Sequence, residues 1–273
     1  MNLARTLRKT LVFFRRDLAI ARSYRGAFFY ELLEALFGVA TYYYLSRFVQ
    51  SVELSRVLPS GVDYFAFALV GVAFYDYLTV SFDVFENNLQ EARQNGTLEA
   101  LLVTETSLAT QLAGSCIYPF ALLALRTVVY LAWGMTLFGF PVAAANWPGA
   151  LVVLLISIAA FAPLGVLSAA HLLLFKRGSP VRWVFLGVAG LVSGMVYPVT
   201  VLPDWLQSVA RFIPLTWSLE AMRAALLGGA SFGALWPALQ ALLLFAAVLL
   251  PLSLVVFGWA LRRTKITGTL THF

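Results

Sequence analysis

The chain has 273 residues, of which 61% are hydrophobic and only 12% charged, and its formal net charge is +6. A soluble domain carries about 25% charged residues, so this composition excludes an ordinary globular enzyme and points to an integral membrane protein. One cysteine and two widely separated histidines, His171 and His272, exclude an intrachain disulfide and offer no metal-ligand cluster.

Residues 1–26 carry Arg5, Arg8, Lys9, Arg15, Arg16, Arg22 and Arg25. Leu3, Leu7, Leu11, Phe14, Leu18 and Ala21 share one helical face, with most of the basic residues on the other. That pattern predicts an amphipathic helix lying on an anionic leaflet. A secretory signal is the rival reading, but the charges continue to Arg25 and no short apolar core with a small-residue cleavage site comes after them.

Residues 27–273 read as one membrane domain with six spans, near 27–48, 64–85, 108–138, 149–175, 181–201 and 235–261. Each has about the 20 apolar residues a helix needs to cross a bilayer. Pro119 and Pro163 fall inside the third and fourth. Fourteen Lys and Arg residues lie on the side of the N-terminal segment and four on the other. This bias places both termini and the loop after the second span in the cytoplasm.

That loop, 86–107, is a polar island. It reads as helix, break, short helix: Asn95-Gly96 signals a turn, Thr97 can cap the short amphipathic helix, and Leu98, Leu101 and Leu102 share one face of it. Such a helix suits docking into a groove on a soluble partner, or it lies on the membrane surface. The segment 198–229 is divided by Pro198, Pro203 and Pro214. Pro203 and Pro214 can each open a helix too short to span. We read two re-entrant helices lining an exit path, with Trp205 and Trp217 at headgroup depth; a plain external loop is the alternative.

Ionisable residues inside spans require partners. Asp76 and Arg126 lie at matching depths, each about 18 Å from the outer end of its span at 1.5 Å per residue. They are expected to form a charge pair, structural rather than substrate-binding. Glu31 and Glu34 share a face near the cytoplasmic end of the first span and either pair with the basic segment or form a cytoplasmic gate. Tyr42, Tyr43, Tyr44 and Phe48, with the aromatic residues of the second span, form an interfacial belt or a stacking surface for a sugar or glycolipid.

Three features together resemble the type-2 ABC-exporter permeases, the membrane subunits of ATP-binding-cassette exporters. They are the basic helix before six spans, Arg93-x-x-Gly96-Thr97-Leu98-Glu99-x-Leu101-Leu102-x-Thr104, and Pro203-x-Trp205-Leu206 followed by Pro214-Leu215 and Glu220-x-x-Arg223. Glu105 stands where the family often has proline. The resemblance implies an inner-membrane permease, paired as a homodimer and joined by two ABC ATPase subunits. Glu91, Arg93, Gly96, Thr97, Leu98, Glu99, Leu101 and Leu102 would then form the ATPase-coupling region. Pro203, Trp205, Pro214, Trp217, Glu220 and Arg223 would form the exit segment. No Gly-x-x-x-x-Gly-Lys-[Ser/Thr] loop is present, so ATP and Mg are expected on the partner chain and no cofactor, catalytic residue or nucleic-acid site on this one. An amphiphile, a lipid or a polysaccharide would fit as cargo.

Two other classes compete. A passive channel or scaffold would explain the spans but not the docking helix. An intramembrane serine protease is suggested by Gly229-Ala230-Ser231-Phe232-Gly233, but His171 is expected near the opposite membrane face from Ser231, far beyond the contact a Ser–His pair needs.

Overall fold

A computed structural model describes residues 25–50, 62–94, 96, 108–140, 145–175 and 180–266. Among these residues the chain is all-helical: α1 (Arg25–Gln50), α2 (Tyr64–Gln94), α3 (Leu108–Phe138), α4 (Trp147–Phe175), α5 (Pro180–Val192), α6 (Asp204–Ala210), α7 (Pro214–Leu226) and α8 (Phe232–Ile266), with a 3₁₀ turn at Val199–Val201. The amphipathic segment 1–24 and most of the predicted docking helix, 97–107, lie outside the described residues.

Among the described residues, four helices are long and apolar enough to cross a membrane, over Tyr64–Ala92, Cys116–Phe138, Trp147–Phe175 and Phe232–Thr264. α1 has the length, but Arg25, Glu31, Glu34 and Arg47 dilute its apolar character. α5 has 13 residues, or about 20 Å of rise, well short of a span. The sequence predicts helix to 201 there. The chain instead leaves the helix after Val192, because Gly194 takes a left-handed φ of 83° and Pro198 comes soon after.

α2 is the central rod. It packs against α1, α3, α4, α5 and α7, while α4 joins it to α7 and α8. Of the apolar stretch of α2, 72% is buried within the protein, against 22% for α3 and for α8, whose outer faces the rest of the described chain leaves uncovered. Lipid tails are as apolar as leucine, so close packing rather than water exclusion holds such helices together. The sequence meets that need with small residues at the crossing. A Cβ on Gly165 of α4 would lie 1.9 Å from the Ser81 carbonyl oxygen of α2. Along the rod, Phe65, Tyr77 and Leu78 of α2 are fully buried in a core that also holds Phe161, Leu215 and Leu235. Tyr77 stacks on Phe120 of α3 and its hydroxyl accepts a hydrogen bond from Thr127.

Contacts along α2 give the directions of its neighbours. Phe65 meets Phe138 and Tyr77 meets Phe120, so α3 runs antiparallel to α2. Ser168 meets Glu86 near the far end of both helices, so α4 runs parallel to it. α6 and α7 sit at the Tyr64 end of the rod. The Gly96 turn, with a φ of 64°, sits at the other.

Candidate functional site

Polar groups gather at three levels of α2. The first is the Tyr64 end. Arg223 of α7 reaches across to α2 and to the turn after α5. Its Nε and Nη2 donate to the Phe67 carbonyl at 3.2 and 3.0 Å, Nη1 to that of Gly194 at 2.8 Å, and Nη2 to that of Met195 at 2.8 Å. The guanidinium also lies over the Phe67 ring, 3.4 Å from its centroid. The planar fork suits this task, since it presents several donors in fixed directions. Gly71 permits the approach of the turn: a Cβ there would stand 1.9 Å from the Met195 oxygen and 2.8 Å from Arg223 Nη2.

Pro203 and Pro214 act as the sequence predicts. Pro203 caps α6, and the Leu206 and Gln207 amides donate back to its carbonyl. Pro214 occupies the first turn of α7. Trp217 Nε1 donates to the Arg211 carbonyl at 2.9 Å and ties the two short helices together. Trp205 and Glu220 are exposed. Between α6, α7, the turn and the start of α2 lies a cleft of about 900 Å³, with Phe67, Trp217, Glu220 and Arg223 in its wall.

The second level is midway. Arg126 of α3 pairs with Glu34 of α1 at 3.3 Å and donates through Nε to the Tyr130 hydroxyl at 2.7 Å. Asp76 is close enough for the charges of Arg126 and Glu34 to act on it, although the ion pair goes to Glu34. The structure thus gathers Glu34, Asp76 and Arg126 from three helices. The Glu31 side chain lies outside what is described.

The third level is the Gln94 end. Arg182 of α5 bridges Asp83 and Glu86 of α2, with the Glu86 contact at 3.4 Å. The Ser168 hydroxyl of α4 donates to the other Glu86 oxygen. Glu86 is 5% exposed, although it opens the polar island that the sequence places outside the membrane. The helix continues to Gln94, with Glu91 exposed, and ends at the Gly96 turn, where the sequence places the break. A signal for this clamp was available: Asp83 and Glu86 are one turn apart and share a face. No group of three metal-ligating side chains occurs among the described residues.

Removing either partner of this clamp should matter unequally. Arg182→Ala strands a nearly buried carboxylate and is expected to destabilise by about 2 kcal/mol, a value below that of fully buried pairs because Arg182 and Asp83 are partly exposed. Adding Glu86→Gln to Arg182→Ala should recover part of the loss, and thermal melting in detergent will show whether it does.

The sequence profile of the family described as "ABC-2 type transporter" matches residues 14–227. The linearmycin resistance permease protein LnrN of Bacillus subtilis is 28% identical over 161 residues, covering 58% of this chain and 40% of that protein. Nodulation protein J of Sinorhizobium fredii is 30% identical over 173 residues, covering 61% of this chain and 63% of that protein. The matched region therefore spans less than two thirds of either relative.

Proposed function

The chain belongs to the ABC-2 type transporter family, and from that premise we propose that it is the permease subunit of an ATP-driven exporter. It crosses the membrane six times, with α1 and, as the sixth crossing, the short α5 continued by the turn that carries the chain from the Arg182 clamp to Arg223. Two copies form the path, each served by a separate ABC ATPase, and the Gln94 end faces the cytoplasm, as the positive charge bias favours. The cargo is an amphiphile, a lipid or a polysaccharide.

The observation that carries this reading is the family match over residues 14–227, which includes both the 86–107 island and the Arg223 bracket. The physical role of the fold rests on α2. A single packed helix links the Gly96 turn, where the ATPase would dock, to the clamp that holds α5, α7 and the cleft. Movement imposed at the docking end has a stiff element to travel along, and small shifts of a close-packed helix are resolved at its ends. Glu31 is the gate residue at the cytoplasmic entrance, since Glu34 is engaged with Arg126 midway along α2. Arg126, between Glu34 and Asp76, holds α1, α2 and α3 in register. The segment 198–229 dips into the outer leaflet and lines the exit.

Replacing Leu98, Leu101 and Leu102 together with Asp removes the apolar face that would enter the ATPase groove. Co-purification of an ATPase from the native membrane should fall at least about tenfold, which corresponds to about 1.4 kcal/mol, while the permease itself remains folded. Recovery of the wild-type chain with no ATPase, under conditions that preserve membrane complexes, would favour a passive channel or scaffold.

A further inference from the structure

One uncovered face of the described bundle does not suit lipid. On α1 the exposed residues Tyr30, Glu34, Phe37, Thr41, Tyr44 and Phe48 follow one another at steps of 4, 3, 4, 3 and 4 residues and form a single stripe. Such steps keep a stripe in line with a second helix that crosses at about 20°. Glu34 belongs to the middle level of α2, with Asp76 and Arg126, and its side chain is 69% exposed. The outer faces of α3 and α8 are different. Beside Arg126, α3 exposes Leu125 and Val128. α8 exposes Leu243, Leu244, Val248 and Val255 between Trp236 and Trp259, a stretch without an ionisable residue. Those two tryptophans stand about 35 Å apart at 1.5 Å per residue, the spacing of headgroup anchors on a face made for acyl chains. A carboxylate turned toward acyl chains at mid-depth is costly, and such groups face protein or water instead.

The ion pair at this level is also incomplete. Arg126 Nη2 reaches Glu34 Oε1 at 3.3 Å, and Nε donates to the Tyr130 hydroxyl. Glu34 Oε2 and both hydrogens on Arg126 Nη1 meet no partner among the described residues. The Arg126 side chain is 26% exposed, so neither member of the pair is sealed inside the chain. One spare acceptor and one spare donor group lie together at one depth.

We propose that the α1 stripe packs against the same stripe of a second copy of this chain, and that Glu34 of each copy pairs with Arg126 of the other. The proposal rests on the reading that two copies form the path, and it adds the face and the contact. A two-fold axis along the membrane normal brings equal depths together, so each contact occurs twice. The group that meets Glu34 then comes from the same level of the other copy, where Arg126 is the exposed cation among the described residues. Each copy gives one carboxylate oxygen and one guanidinium nitrogen and receives the same. Two carboxylates and two guanidiniums alternate in a neutral ring of charge-assisted hydrogen bonds. Asp76 acts on Arg126 from α2 within each copy and takes no part in the contact.

The test uses the full-length chain in native membranes. Cys116 is its one cysteine. In a Cys116→Ser background, Phe37→Cys, Thr41→Cys and Tyr44→Cys are oxidised and compared with Val128→Cys on α3 and Val255→Cys on α8. At least one α1 position should give a disulfide-linked dimer, and the two controls should not, because the bond forms only where Cα atoms come within about 7 Å. Differently tagged copies carrying Glu34→Arg and Arg126→Glu are then co-expressed. Either variant alone sets four like charges at the contact, whereas a mixed pair restores alternation. Mixed dimers should exceed each homodimer at least about tenfold by native mass spectrometry. Assembly in the statistical ratio would overturn the exchanged ion pair. A wild-type dimer that no α1 cysteine links, or that α3 or α8 cysteines link instead, would overturn the face and leave the two-copy reading intact. A wild-type chain that is monomeric by native mass spectrometry and links nowhere would overturn both.

Discussion

Replacing Gly71 with alanine is expected to destabilise the protein by about 3 kcal/mol, and replacing it with valine to eliminate the folded form. The reason is geometric. A methyl group at this position would stand 1.9 Å from the Met195 carbonyl oxygen, which is less than any real contact allows. That oxygen is backbone, so it cannot swing aside as a side-chain terminus would. Relief requires the 193–195 turn to leave α2, and the turn is held there by Arg223. Gly165→Ala should act in the same way, through the Ser81 carbonyl at 1.9 Å and the Phe85 ring at 2.6 Å. Gly258 is the control. It lies within α8 with nothing within 4 Å of its would-be Cβ, so alanine there should be neutral or stabilising by up to about 1 kcal/mol through helix propensity. Thermal melting of the detergent-solubilised protein checks all three. A Gly71→Ala protein that melts with the wild type would mean that the turn does not pack on α2 as described.

The helices were legible because apolar length is legible. Residues 108–138 read as one helix from sequence and form α3 over that range. Pro203 and Pro214 could be read because each precedes a short amphipathic run, and at a helix start the missing N–H costs no hydrogen bond. The end of α5 was misplaced because hydropathy continues past Val192, whereas Gly194 stops the helix through its backbone angle. Glu86 misled for a related reason. An acid beside asparagines suggests water, yet its partners Ser168 and Arg182 come from two other helices, and nothing local announces them. Depth matching brought Asp76 and Arg126 together, but depth cannot say which of two nearby acids points at the guanidinium, and Glu34 forms the ion pair. The role of Arg223 was the least accessible. It was singled out by its motif, but its partners are three backbone carbonyls, and every residue has one.

Arg223→Met is expected to cost about 4 kcal/mol, because it takes a donor from three carbonyls and each buried carbonyl left with none costs about 1–3 kcal/mol. Two of them, Gly194 and Met195, sit in a turn where no helix offers a replacement donor. Methionine keeps most of the side-chain volume, so the loss would report hydrogen bonding and charge rather than a cavity. Arg223→Lys keeps the charge but not the fork. One ammonium cannot face Phe67, Gly194 and Met195 together, so an intermediate loss of about 2 kcal/mol is expected. Gly71→Ala combined with Arg223→Met should cost less than the sum of the two, since both act by releasing the same turn and a turn can be released only once. Amide exchange separates the outcomes. In Arg223→Met, residues 193–202 should lose protection while the centre of α2, around Tyr77 and Leu78, stays protected. If protection fell equally at both places, Arg223 would be holding the whole bundle rather than its end. Movement of the docking end would then reach the cleft through general loosening and not through α2 as a rod.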